Sequence, residues 1–233
     1  MRIDVLTLFP EVCEPYFGAS ILGRARAAGR VEIRCHNIRD FTTDPHRKVD
    51  DRPFGGGPGM VLMCQPVIDA VESVERMSAE PATRIVLTPR GEKLTQRVAE
   101  ELATQPRLLV VAGHYEGFDE RIFTLLRPRE ISVGDYVLSG GEAAALVLVD
   151  AVVRLLPGVI GDPDALLEES FGNGLLEYPQ FTRPREYRGL SAPELLFGGD
   201  HKKIEVWRRQ EAKRLTAERR PDLLRPDLLD RRD

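Results

Sequence analysis

The feature that most constrains how this chain can fold is the run Leu108–Ala112, five apolar residues in succession that stop directly at Gly113. A strand with one solvated face alternates apolar and polar residues. An unbroken apolar run reads instead as a strand covered on both faces, as in a parallel sheet with helices above and below it. From Gly113 to Glu142 the chain then carries the glycines Gly113, Gly117, Gly134, Gly140 and Gly141 and the tyrosines Tyr115 and Tyr136. Glycine lets the backbone approach a ligand closely or turn with positive φ. Because open α/β sheets bind ligands at the carboxyl ends of their strands, this stretch is expected to form the floor of a binding site.

The rest of the chain fits an α/β pattern. Further strands are expected at Arg2 to Leu8, Val31 to Cys35, Val61 to Met63, Arg84 to Leu87 and Glu130 to Ser132, with a strand-like piece at Tyr136 to Leu138. Phe9-Pro10 ends the first strand. Helices are expected at Ser20 to Ala28, opened by a capping serine, and at Gln65 to Arg76, Thr95 to Ala103 and Asp119 to Leu126. Glu142 to Leu156 is apolar nearly all round and reads as a buried helix, with Asp150 and Arg154 as an i,i+4 pair. Asn37 to Gly59 interrupts the rhythm: it is long, polar and ends in a glycine-proline cluster, and loops of that length are usually functional or disordered. Val159 to Pro179 is acidic and turn-rich, a candidate interdomain linker. Ala192 to Phe197 and the strongly basic Lys202 to Arg219 read as further helices.

Charge is unevenly spread. Thr182 to Asp233 holds 14 Lys+Arg against 10 Asp+Glu, net +4, whereas the remainder is net −8. A basic tail on an acidic body suits an anionic partner, although charged helix faces are often only solvated. No apolar run reaches the roughly 20 residues of a membrane helix, and the N-terminus lacks a secretory pattern, so a cytoplasmic location is expected. Cys13, Cys35 and Cys64 are widely spaced without a CxxC pair and suggest neither a disulfide framework nor a zinc site. There is no GxxxxGK[ST] loop, no GxGxxG after the first strand and no HExxH. His114 lies in the glycine-rich stretch, where a lone histidine is more often a structural hydrogen-bonder than a catalyst.

Five blocks taken together are more specific than any of these signals. VDDRPFGGGPGM (from Val49), LTPRGEKL (from Leu87), GHYEGFDERI (from Gly113), SVGDYVLSGGE (from Ser132) and NGLLEYPQFTRP (from Asn173) resemble, in order and spacing, the bacterial tRNA (guanine-N1)-methyltransferases. That family modifies the guanine at position 37 of tRNA, immediately 3′ of the anticodon. The resemblance implies the knotted-sheet SPOUT class: a largely parallel sheet with helices on both faces, a C-terminal trefoil knot and a small all-α C-terminal domain. It divides the chain into a knotted S-adenosylmethionine-binding domain (1–158), a linker (159–180) and a helical tRNA-binding domain (181–233). Connections in ordinary folds do not thread one another, so the knot rests on the resemblance alone.

Site roles follow from the same resemblance. S-adenosylmethionine is expected against Leu87, Thr88 and Pro89; Gly113, Tyr115, Glu116 and Gly117; Ser132, Val133, Gly134, Asp135, Tyr136, Val137 and Leu138; and Gly140 and Gly141. The target guanine is expected against Asp50, Arg52, Phe54, Gly55, Gly56, Gly57, Pro58, Gly59 and Ser170. Guanine N1 must lose a proton before it can attack, which calls for a general base and a cation to balance charge at O6. The resembled family uses an aspartate in the linker and an arginine near the end of the buried helix. Here those positions are Glu169 and Arg154, with Glu168 and Glu116 as other carboxylates for the base. The resemblance also implies a homodimer and assistance from Mg²⁺, for which the sequence offers no ligand cluster. Lys202, Lys203, Arg208, Arg209, Lys213 and Arg214 are expected to meet tRNA phosphates. Two other readings are a module that binds without catalysing and a nicotinamide-dependent oxidoreductase whose glycine stretch holds a dinucleotide.

Overall fold

The computed structural model describes residues 1–161 and 163–224, and its contacts divide the chain into two compact units, Met1–Gly161 and Asp162–Asp233. In the first, β1 (Arg2–Thr7) is followed by α1 (Pro10–Phe17), α2 (Ser20–Ala27), β2 (Glu32–Asn37) and, after a 3-10 turn at Ile38–Phe41, by β3 (Asp50–Asp51) and β4 (Val61–Leu62). Then come α3 (Cys64–Glu75), β5 (Thr83–Lys93), α4 (Gln96–Ala103), β6 (Arg107–Ala112), α5 (Arg121–Leu126), β7 (Arg129–Ser132) and α6 (Glu142–Val153). The central sheet has the order β2-β1-β6-β5-β7, and every neighbouring pair is parallel.

β6 is buried from end to end, and its side chains alternate between two cores. Leu108, Val110 and Ala112 pack with residues of α1, α2, α4 and α6, whereas Leu109 and Val111 pack with α3, α5 and Ile38. This double covering is why the strand reads as one apolar run. Burial of each valine contributes roughly 1.5–3 kcal/mol.

Four local expectations are corrected. Pro10 ends β1 but also opens α1, at whose first turn its missing N–H costs nothing. Ser20 caps nothing: the cap position is Ala19, and Ser20 itself has φ 49°. The long polar segment contains a short strand, β3, which pairs antiparallel with β4 just beyond it, Asp50 opposite Leu62 and Asp51 opposite Val61. Tyr136 to Leu138 is not a strand; the Tyr136 amide turns back onto the Gly134 carbonyl at 2.9 Å.

A buried ion cluster joins this sheet to α3. Arg107, wholly buried, donates Nε to Asp4 Oδ2 at 3.0 Å. Its remaining nitrogens meet the carbonyls of Val74 (2.6 Å), Glu75 (3.0 Å) and Glu80 (3.2 Å), so it closes the C-terminal end of α3. Burial alone would push the Asp4 carboxyl up, but hydrogen bonds with His36, Arg2 and Arg107 outweigh it and hold the carboxyl down at about 2. A depressed carboxyl stabilises the fold above its ordinary value, and that contribution is lost as pH falls from about 4 towards 2. Arg107→Met should lower unfolding free energy at pH 7 by roughly 3–5 kcal/mol, since it takes the buried cation from a carboxylate left with Arg2 and His36 and leaves the carbonyls of Val74, Glu75 and Glu80 without their donor. Urea titrations at pH 7 and pH 3 should show the gap between variant and parent narrowing in acid.

The second unit contains α7 (Pro163–Glu168), β8 (Glu186–Tyr187), β9 (Leu190–Ser191), a 3-10 turn at Glu194–Phe197, α8 (His201–Arg219) and a 3-10 turn at Pro221–Leu224. The expected all-α composition is therefore modified by a short antiparallel ladder, whose turn places Arg188 and Gly189 at φ 52° and 80°, as a tight hairpin requires. The helix expected at Ala192 to Phe197 shrinks to the 3-10 turn. Asp200 caps α8 by accepting from the Lys203 amide at 3.2 Å. Buried Thr216 of α8 accepts from the Leu176 amide at 2.9 Å, anchoring the preceding segment to that helix. Residues 225–233 of the expected C-terminal domain lie outside the described residues. Among the described residues no helix is long and apolar enough to cross a membrane.

Candidate functional site

A cavity of about 400 Å³ opens at the carboxyl ends of β5, β6 and β7. Its shape originates in a break of the β5–β7 ladder. Leu87 and Glu92 both register against Ile131, so the residues between them bulge out of the sheet. Gly91 permits this, because a Cβ there would lie 2.4 Å from the Ile131 nitrogen. The bulge presents Thr88, Pro89 and Arg90 to the cavity. Opposite it, the chain leaving β6 returns to itself: the Gly141 amide donates to the Gly113 carbonyl at 2.6 Å, and His114 pairs with Gly140. A Cβ on Gly141 would sit 2.7 Å from the Gly113 nitrogen, and one on Gly113 would sit 2.5 Å from the Phe118 ring. Close backbone approach thus makes the floor.

Of the residues expected to hold the cofactor, all line this cavity except Asp135. Asp135 turns outward and pairs with Lys93 at 2.7 Å. Tyr115 adopts φ 62°, unusual for a side-chain-bearing residue, and its hydroxyl accepts from Arg39 at 3.3 Å. The Tyr136 ring lies against Gly134, where a Cβ would come within 2.4 Å of it.

Several lining residues were not expected from the sequence. Arg90 lies 4.0 Å over the Phe123 ring and pairs with Glu130 (2.6 Å) and Glu120 (2.8 Å), which push its guanidinium further up. Phe118 and Ser139 also contribute. His114, set aside on its sequence context, sits on the wall with a buried Nδ1 that has no hydrogen-bond partner and lies 3.7 Å from Glu142 Oε2. Buried Glu142 accepts the Thr7 hydroxyl at 2.6 Å. No periodicity announces such contacts, because they join residues from distant strands.

The residues expected at the guanine divide into two groups. The base of the β3–β4 hairpin is stitched to the cavity rim by three bonds: Glu116 N to Met60 O (3.0 Å), Leu62 N to Gly117 O (2.9 Å) and Asp119 N to Leu62 O (3.0 Å). Glu116 also packs on Gly59, where a Cβ would meet its Oε1 at 2.3 Å. Asp50 is half-buried at this base, whereas Arg52, Phe54 (97% exposed) and Gly55 to Pro58 form the outer tip. Gly55, Gly56 and Gly57 all have positive φ. Ser170 belongs to the second unit, where its hydroxyl accepts from the Glu177 amide at 2.9 Å.

Arg154 is the C-cap of α6, its amide bonded to the Asp150 carbonyl at 3.2 Å; the Asp150 carboxylate, expected to pair with Arg154, accepts from the Tyr16 hydroxyl at 2.9 Å. Glu169 follows α7 in the second unit, with its carbonyl accepting from the Gly172 amide. Its neighbour Glu168 is engaged by the Tyr178 hydroxyl (2.8 Å) and Arg208 (3.6 Å). Among the cations expected at phosphates, Arg214 pairs with Glu211 and Glu218, and Lys203 with Asp200.

These features define an α/β protein with a glycine-built, backbone-lined cavity at the carboxyl edge of a parallel sheet. Residues 1–226 match the family model described as tRNA (Guanine-1)-methyltransferase TrmD, and the chain belongs to that family. It is 53% identical over 227 residues to a tRNA (guanine-N(1)-)-methyltransferase of Rhodopirellula baltica, covering 96% of this chain and 94% of that one. It is 54% identical over 233 residues to the protein of the same name from Thermomicrobium roseum, covering 100% and 87%. A third of that name, from Moorella thermoacetica, is 53% identical over 226 residues, covering 96% and 90%.

Proposed function

We propose that the protein transfers a methyl group from S-adenosylmethionine to N1 of the guanine at position 37 of tRNA, in the cytoplasm and as a homodimer. The observation that carries this reading is the convergence, in a chain of this family, of three sequence blocks starting at Leu87, Gly113 and Ser132 on one backbone-lined cavity. The knot is part of the proposal: the return of Gly141 to the Gly113 carbonyl beside β6 supports a chain that doubles back through its own loop.

The cavity residues fit the methyl donor. The glycines let bare backbone form the floor, since a Cβ on Gly113 or Gly141 would strike the Phe118 ring or the chain leaving β6, and the mixed backbone and aromatic wall suits an adenine ring joined to a polar chain. Leu87 to Pro89, Gly113 to Gly117 and Ser132 to Gly141 would hold it. When bound, S-adenosylmethionine supplies an electrophilic methyl on a sulfonium. The residues around it would align that carbon with the acceptor nitrogen and exclude water, as an in-line displacement requires. Glu169 takes the N1 proton as the N–C bond forms and the C–S bond breaks, and Arg154 balances negative charge on O6. The hairpin base at Asp50 and Gly59, joined to the cavity rim, holds the guanine. Among the described residues no three metal-ligating side chains converge, and no step here runs through Mg²⁺.

The purified protein should add one methyl, resolved by mass, to a tRNA bearing guanine 3′ of the anticodon and none to the same tRNA with adenine there. Equal incorporation into both would reject the assigned position, and none into either would reject the activity.

A further inference from the structure

The second unit encloses a separate cavity of about 390 Å³, within the size range of small-ligand sites. Its walls are the segment Tyr178 to Arg185, the 3-10 turn at Glu194–Phe197 and one face of α8. Two kinds of side chain dominate them. Tyr178, Phe181, Phe197 and Trp207 provide aromatic surface, and Arg183, Arg185 and Arg208 provide cations. The two are interleaved: Arg185 lies 4.2 Å over the Phe197 ring and Arg208 lies 4.6 Å over Tyr178. Phe181 and Trp207 stand with ring centroids 6.3 Å apart.

Two details point to a ligand rather than to a packed core. Phe181 and Phe197 keep 48% and 41% of their surface exposed, a large apolar area beside charged groups. Arg183 and Arg185 line the cavity without an ion pair among the described residues, whereas Arg208 is drawn to Glu168 at 3.6 Å. The occupant must therefore offer a flat apolar face and anionic acceptor atoms together. An apolar peptide would desolvate the arginines without compensation, and an acidic one would leave the rings bare. A nucleotide satisfies both, because its base stacks on aromatic and guanidinium planes and its phosphate oxygens accept from arginine.

We infer that this cavity receives one unstacked nucleotide of the tRNA, its base against Phe181 and Trp207 and its phosphate towards Arg183 and Arg185. The inference rests on the tRNA reading above and deepens it. The C-terminal unit then does more than neutralise phosphates; it captures a splayed base away from the methylated guanine.

Trp207 is the one tryptophan of the chain, so the cavity carries its own reporter. Titrating the full-length protein with tRNA should change Trp207 emission along the same curve as filter binding. Phe181→Ala and Arg185→Gln, both at exposed positions, should each weaken tRNA binding on the order of ten-fold, with Phe181→Tyr restoring it. S-adenosylmethionine affinity and melting temperature should not move, and the loss should appear in KM for tRNA rather than kcat. Saturable tRNA binding without any Trp207 response, together with parental affinity in both variants, would overturn the assignment. So would variants that alter the oligomeric state but not tRNA affinity, since a protein segment would then occupy the cavity. Methyl transfer by the unaltered protein is measured alongside: its presence with unchanged variants rejects the cavity alone, and its absence rejects the function.

Discussion

Glu169→Gln should slow single-turnover methyl transfer by about 10²–10⁴-fold while leaving S-adenosylmethionine affinity unchanged, the expected loss when a general base is removed. Arg154→Ala should cost about 10²–10³-fold, as for a group that stabilises developing charge. The informative comparison is Glu168→Gln. Glu168 is already held by the Tyr178 hydroxyl and Arg208, so its loss should change the rate only a few-fold. Glu116, the carboxylate on the cavity wall, packs against Gly59, and Glu116→Gln should act on substrate placement, through KM more than through the chemical step. A parental rate in Glu169→Gln combined with an inactive Glu168→Gln would move the base by one position. Saturating both substrates in rapid-mixing experiments keeps binding defects out of the measured rate.

Gly141→Ala should disrupt the cavity floor directly. Its Cβ would stand 2.7 Å from the Gly113 nitrogen and 2.8 Å from the Ala112 Cα, well inside the roughly 3.5–4.0 Å of comfortable carbon contact. Both neighbours are backbone of β6 and its exit, so no side chain can swing away. Relief requires the start of α6 to withdraw, which breaks the 2.6 Å bond between Gly141 and Gly113 and opens the cavity floor. Overpacking of this kind costs about 1–3 kcal/mol in stability, and cofactor affinity should fall by at least about 100-fold because the floor itself moves. Gly161→Ala is the control: a Cβ there meets nothing within 4 Å among the described residues, and both quantities should be unchanged. Calorimetric titration with S-adenosylmethionine and a thermal melt decide the matter; parental affinity in Gly141→Ala would mean that the floor is not part of the cofactor site.

The sheet was legible in the sequence because burial on both sides leaves an uninterrupted apolar run, as at Leu108 to Ala112. α1 was not, because Pro10 is as good a strand terminator as a helix opener, and only the packing of Cys13 and Phe17 into the core distinguishes them. Most of the cavity wall was legible through the glycine blocks, whose backbone role does not depend on long-range contacts. That Asp135 is not among the cavity-lining residues was not legible, since it is drawn outward by Lys93, a partner 42 positions away that no local pattern exposes. Arg90 was missed for a related reason: its place at the cavity follows from a bulge that exists only when β5 pairs with β7.

The contact between Thr7 and Glu142 makes mutational tolerance at the edge of β1 sharply uneven. A carboxylate buried at the head of α6 accepts its one short hydroxyl bond from a strand that does not line the cavity, and it lies 3.7 Å from a ring that does. Serine can replace threonine at that position with little consequence, whereas isosteric valine removes the donor and leaves charge facing hydrocarbon. Position 7 should therefore drift only among hydroxyl-bearing residues, although nothing about its distance from the chemistry would suggest so.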